Sequence, residues 1–161
     1  MKIMISNIIM NPIKHLLADD VDWRDRRAVA CSTNTPETLE RLAKDNHYDV
    51  RRGVAINPNT PPETLDLLAN DEDWFVRRNV AENPNTPPET LNRLANDWSS
   101  SVRCGVAGNP NTSPETLDLL ANDKNFWVRV NVAWNPNTPQ YIKQYIKIKK
   151  FLTHYNCFNH E

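Results

Sequence analysis

Cysteine and glycine are nearly missing from this chain, with three of each in 161 residues. Cys31, Cys104 and Cys157 lie far apart and fall at different points of the local sequence pattern. They indicate no disulfide framework, and a reducing, cytoplasmic setting fits them better. Glycine is confined to Gly53, Gly105 and Gly108, which excludes a glycine-rich phosphate loop. An excess of one charge is lacking too: 19 Lys and Arg stand against 20 Asp and Glu, leaving a formal net charge of -1. No global attraction to nucleic acid or to a membrane surface follows from that balance. There is no long hydrophobic run. The apolar start, Met1–Met10, is broken by Ser6 and Asn7, is too short to span a bilayer and has no small-residue cleavage site, so it reads as an end cap. Period-two alternation is absent, so strands are not expected. No nucleophile–base pair or pair of catalytic carboxylates stands out, and neither an enzymatic activity nor a cofactor is expected.

What the chain does have is a repeat of 26 residues. Asn57-Pro58-Asn59-Thr60-Pro61-Pro62-Glu63-Thr64-Leu65 returns as Asn83–Leu91, returns as Asn109–Leu117 with Ser113 for the first proline, and starts again at Asn135. The second half recurs as well: Val76-Arg77-Arg78-Asn79-Val80-Ala81 matches the runs at Val50, Val102 and Val128. Such a period means stacked supersecondary units, each touching its neighbours. The predicted fold is all-α, a helical-repeat solenoid of about five two-helix repeats in a single domain over 1–161. Within it, 1–30 form an N-terminal cap and half repeat, 31–134 four full repeats, and 135–161 a C-terminal cap helix and tail.

Each repeat suggests its own local structure. Thr60 and Glu63 have the spacing of a capping box, with Pro61 at the first helical position. A short helix then runs through Leu65 and Leu68 to a break at Asn70 and Asp71. Asp71 or Asp73 caps a second helix carrying Val76 and Val80 on one face. That helix ends at Asn83-Pro84, where Asn tolerates a left-handed conformation and proline forbids continuation. Neither helix is long enough to persist alone, so Leu65, Leu68, Val76 and Val80 must be buried against adjacent repeats.

The run Val-Arg-x-x-Val-Ala-x-Asn-Pro-x-Thr-Pro-x-x-x-Leu-x-x-Leu-Ala-x-Asp, clear at Val76 to Asp97, Val50 to Asp71 and Val102 to Asp123, resembles the leucine-rich repeat variant family over about residues 14–140. The resemblance implies a right-handed superhelix of alternating α and 3₁₀ helices, akin to HEAT-like solenoids. One member of that family carries an iron–sulfur cluster in a separate cysteine-rich segment. No cysteine precedes Leu17 here, so the cluster is not carried over. The resemblance supplies no shared activity.

Two ladders run through the array. Arg26, Arg51, Arg77, Arg103 and Arg129 occupy one position; Asp20, Asp45, Asp71, Asp97 and Asp123 occupy another, six residues earlier. A cationic stripe alone would suit a phosphate backbone. The matching acid ladder favours a structural role, with each arginine paired to an aspartate or to helix-end carbonyls. The Asn-Pro-Asn-Thr segments read as turn and cap chemistry. Variable positions speak to function instead. Arg24, Asp49, Phe75, Ser101 and Trp127 share one column; Ile56, Glu82, Gly108 and Trp134 share another; Trp23, Tyr48, Trp74 and Phe126 share a third, whose regularity suggests packing. Phe75, Trp127 and Trp134 are therefore candidates for an aromatic patch that binds a protein partner, with junction packing as the alternative. Lys143, Lys147, Lys149 and Lys150 make the C-terminal helix basic, which leaves nucleic-acid binding as a second possibility alongside a solvated cap. His154, Cys157 and His160 supply only three of zinc's four ligands, so no metal is expected there.

Overall fold

The computed structural model describes residues 22–148, and every regular element within them is α-helical. Long and short helices alternate. The long ones are α1 (Trp23–Ser32), α3 (Tyr48–Ile56), α5 (Trp74–Glu82), α7 (Ser100–Gly108) and α9 (Phe126–Trp134). The short ones are α2 (Pro36–Leu42), α4 (Pro62–Leu68), α6 (Pro88–Leu94) and α8 (Pro114–Leu120). A further helix, α10, covers 140–148. Successive long helices pack on one another, with the short helices beside them. The chain is an all-α repeat solenoid whose core grows by one layer per repeat. The short helices are α-helical rather than the 3₁₀ helices that the family resemblance implies.

Leu65, Leu68, Val76, Val80 and their register mates are all buried in one continuous cluster. Helices of seven and nine residues do not hold in water alone. Burying each such side chain contributes roughly 1.5–3 kcal/mol relative to leaving it exposed, and that is what makes the elements persist. Ile142 of α10 closes the cluster, with Ile146 packed against it.

The helix ends resolve the sequence expectation at three points, two of them as departures. First, the capping box at Thr60 does not form. Pro61 is itself the N-cap, at φ -61 and ψ 149, and the helix starts at Pro62. The cause is the second proline, which pushes the residue before it out of the α region. Ser113, ahead of Pro114, takes the same conformation. The Thr60 hydroxyl is left free to donate to the Val54 carbonyl at 2.6 Å, so it caps the end of α3. Second, of the two aspartates that the sequence offers as caps, Asp73 is the one that caps α5, accepting from the Phe75 amide at 2.7 Å. Third, Asn83 is extended, at φ -71 and ψ 129, because Pro84 follows it. No described residue has positive φ.

The aromatic column at the start of the long helices also departs from expectation. Trp23 and Trp74 lean on the core, while Tyr48 and Phe126 are exposed. At that column the rings lie on one another along the outer edge: Trp23 stacks on His47 at 4.1 Å, and His47 on Tyr48 at 5.2 Å.

Long helices are not evenly spaced. A Cβ added at Gly53 would lie 3.0 Å from Ala30 Cβ and 3.3 Å from the Arg27 carbonyl; one at Gly105 would lie 3.0 Å from Ala81 Cβ and 3.3 Å from the Arg78 carbonyl. At the intervening seams that column holds Asn79 and Asn131. The Asn131 amide donates to the Cys104 carbonyl at 3.3 Å, filling with a side chain the gap that glycine closes elsewhere. Close and wide contacts thus alternate along the stack.

Glycine inside a helix is entropically unfavourable, so replacing it by alanine tests how much room there is. Gly108, at the exposed end of α7, has nothing within 4 Å of an added Cβ. Gly108→Ala should stabilise by about 0.5–1 kcal/mol. Gly105→Ala should instead destabilise by about 1–2 kcal/mol, as overpacking outweighs the propensity gain. Urea unfolding of both variants checks the pair; a stabilised Gly105→Ala overturns the close approach.

Candidate interaction surface

Two polar seams hold the stack, and they decide which residues remain for recognition. Arg77 on α5 donates from Nη1 to the carbonyls of Asp71 and Glu72, at 2.7 and 3.1 Å. Its Nε and Nη2 reach forward to the Asp97 carboxylate at 2.6 and 3.1 Å. Arg51 does the same with Asp71, and Arg103 with Asp123. Arg26 binds Asp45 through the same two nitrogens. Each carboxylate partner lies 19 or 20 residues ahead, in the next repeat; the aspartate six residues back contributes only its carbonyl. Asp20 lies outside the described residues, as do Lys149, Lys150, His154, Cys157 and His160.

These carboxylates also order the following turn. Asp71 Oδ1 accepts from the Asp73 amide and Asp97 Oδ1 from the Ser99 amide. Burial pushes the Asp45 and Asp123 carboxyls up, but Arg26 and Arg103, with the amides of His47 and Asn125, outweigh it and hold both below the ordinary 3.8. Hydrogen bonding to their aspartates raises Arg51, Arg77 and Arg103 still further.

The second seam was not foreseen. Asn83 is buried, and its Nδ2 donates to the Ala55 and Asn57 carbonyls of the preceding repeat at 2.8 and 3.0 Å. Asn57, Asn109 and Asn135 repeat the arrangement. Each Oδ1 accepts from the amide two residues on, which is the expected turn chemistry. The turn role was legible from Asn-Pro; the inter-repeat role was signalled only by the exact recurrence of asparagine where turn chemistry alone admits Asp or Ser.

The variable columns lie outside both seams. Trp127 and Trp134 are 66% and 82% exposed on α9, and Phe75 is 38% exposed on α5, its ring stacked on Trp74. Ser101 holds the equivalent place on α7 between them, so Phe75 stands apart from the α9 tryptophans. On α10, Lys143 is half-buried and Lys147 exposed. Sequence reasoning passed over Trp98, which is 73% exposed and has the Arg77 guanidinium 5.3 Å from its ring. Its register mates are Asn46, Glu72 and Lys124, so it is a departure of the same kind as Trp127. An open cleft of about 380 Å³ lies along the arginine seam, lined by Asn46, His47, Tyr48, Arg51, Glu72 and Asp73. Arg51 is committed to its seam there and His47 caps α3, so the cleft offers no nucleophile with a free base.

The sequence profile described as Leucine rich repeat variant matches residues 48–73, 74–97 and 101–125. A solved structure described as "a leucine-rich repeat variant with a novel repetitive protein structural motif" is similar over 85% of this chain, with a TM-score of 0.65 and 27% identity. The match covers 60% of that protein's chain, so this chain spans only part of its length. No curated protein matches the chain.

Arg77→Ala strips the counter-charge from Asp97 in a seam where both side chains are almost fully buried. Its expected cost is about 3–5 kcal/mol, read as a lowered chemical-denaturation midpoint. A variant that unfolds like the parent removes the arginine seam from the stabilising interactions.

The pH dependence has a definite sign. The folded carboxyls of Asp45 and Asp123 sit below their unfolded value, so the stability they contribute is complete above that value and is lost as pH falls through the folded one. Thermal midpoints should hold steady near neutrality and drop below about pH 4. Asp123→Asn should melt lower than the parent at pH 7 but lose less on acidification. Equal acid sensitivity in both proteins excludes Asp123 as a contributor.

Proposed function

The chain belongs to the leucine-rich repeat variant family, and we propose that it is a non-enzymatic scaffold that binds a protein partner through the variable columns of its solenoid. One observation carries the reading: Trp127 and Trp134 are exposed where sister repeats hold Asp49 and Ser101, or Glu82 and Gly108. The scaffold does not require them, and exposed tryptophans are the side chains that most often anchor protein interfaces. Their exposure also speaks against a packing role at the junction with α10. Trp98 and Phe75 are further exposed departures of the same kind, and Lys143 and Lys147 make α10 basic, as Lys149 and Lys150 do the sequence after it.

Binding to nucleic acid is the less favoured reading. Arg26, Arg51, Arg77 and Arg103, which a phosphate track would use, already hold carboxylates. No helix among the described residues is long and apolar enough to cross a membrane, and membrane insertion forms no part of the proposal.

Trp127→Ser copies the choice of the preceding repeat, so the fold should survive it. Losing a central aromatic anchor typically costs 2 kcal/mol or more, roughly a thirtyfold weakening of binding. Recovery of a partner from native extract, compared with circular dichroism melting, checks this. A collapsed melt assigns Trp127 to packing; unchanged melt and recovery remove the aromatic patch from the interface.

A further inference from the structure

At Arg129, the last arginine of the ladder, only one edge of the guanidinium finds an acceptor among the described residues. Nη1 of Arg129 donates to the carbonyls of Asp123 and Lys124 at 2.7 and 3.2 Å, the same distances at which Arg103 holds its own pair. Those two bonds fix the plane and the direction of the fork. In Arg51, Arg77 and Arg103 the Nε–Nη2 edge then grips a carboxylate. Among the described residues, nothing accepts from that edge of Arg129. Counting 26 residues on from Asp123 reaches Lys149, so the sequence offers no carboxylate at that spacing; Lys149 itself lies outside the described residues.

Arg129 is half-buried and the outer edge of its fork is open to solvent, and the geometry of that edge selects for a planar carboxylate that takes two parallel bonds. Its surroundings indicate the rest of the ligand. The Phe126 ring lies 5.8 Å from the guanidinium and is exposed, and Trp127 follows it in sequence. Lys147, exposed on α10, gives a positive charge outside the fork for comparison. We propose that Arg129 is the anchoring site for a carboxylate supplied by an acidic peptide segment of a protein partner, whose apolar side chains lie on Phe126 and Trp127. The site would take the place in trans that Asp45, Asp71, Asp97 and Asp123 fill in cis. This rests on the protein-partner reading above and specifies its chemistry.

The test uses the full chain and a fluorescently labelled peptide of alternating aspartate and leucine, with the asparagine version of that peptide as control, followed by anisotropy. The acidic peptide should bind, the amide peptide about tenfold or more weakly, and Arg129→Gln should lose a similar factor. Arg129→Lys, which keeps the charge but not the fork, should be weakened as well. Lys147→Gln should stay within about threefold of the parent, as an exposed border charge adds little. Equal binding of the two peptides by the parent, which needs no variant to fold, overturns the proposal. So does a folded Arg129→Gln with parental affinity, no binding of the acidic peptide, or a loss in Lys147→Gln as large as in Arg129→Gln. Displacement of the acidic peptide by an equal concentration of oligothymidylate reassigns the fork to phosphate. A mass increase on light scattering that Arg129→Gln abolishes reassigns it to a second copy of the chain. If Trp127→Ser loses partner recovery while Arg129→Gln does not, the interaction surface stands and the carboxylate site falls.

Discussion

Each ladder guanidinium in the middle of this array is satisfied on both edges, by two carbonyls of its own repeat and two carboxylate oxygens of the next. The rest of the stack depends on that arrangement. A buried arginine is tolerable only when its donors are filled and its charge is balanced, and here both conditions need two repeats in the right relative position. Apolar contacts between Leu and Val layers are non-directional and would accept many offsets. The bidentate pair accepts one. At the opposite end of the long helices the buried asparagines reach backward, so each repeat in the middle of the array is gripped ahead through arginine and behind through asparagine. These requirements explain why Arg, Asp and Asn scarcely vary while neighbouring surface positions do.

Much of this was legible from spacing. The period set the architecture, and the recurrence of leucine and valine identified the core before any coordinates. The misreadings share a cause: a residue has more than one use, and sequence displays the local one. Thr60 stands three residues before Glu63, as a capping box requires, yet the proline pair moves the helix start and gives its hydroxyl to Val54. Asp71 and Asp73 both stand close enough to cap α5, and Asp73 does so while Asp71 serves Arg51. Asn83 fits a turn, and the same side chain also crosses to the previous repeat. The paired ladders suggest an aspartate or helix-end carbonyls as partners of each arginine, and Arg77 takes both, the carboxylate coming from 20 residues on. On the surface, Trp98 is hidden in the sequence because its column, Asn46, Glu72, Trp98 and Lys124, has no repeating chemistry from which to depart.

Division of labour between columns gives the functional argument its force. Where chemistry is dictated by a seam, a residue carries information about the scaffold alone. Trp98, Trp127 and Trp134 expose large apolar side chains at positions where sister repeats carry mostly polar or small residues, so the seams do not require those side chains there. The same logic applies in reverse to Arg129, a seam residue held ready where the chain's own register supplies a lysine.

The alternation of glycine and asparagine at Gly53, Asn79, Gly105 and Asn131 has a consequence for inheritance by duplication. The ladders repeat with one unit, but the close and wide contacts repeat with two. Removing a single repeat by recombination would reconnect every arginine to an aspartate while placing two helices of the same kind face to face. Removing or copying a pair would leave every contact of its former kind. The array is a periodic solid with a doubled cell, and its tolerated lengths come in steps of two.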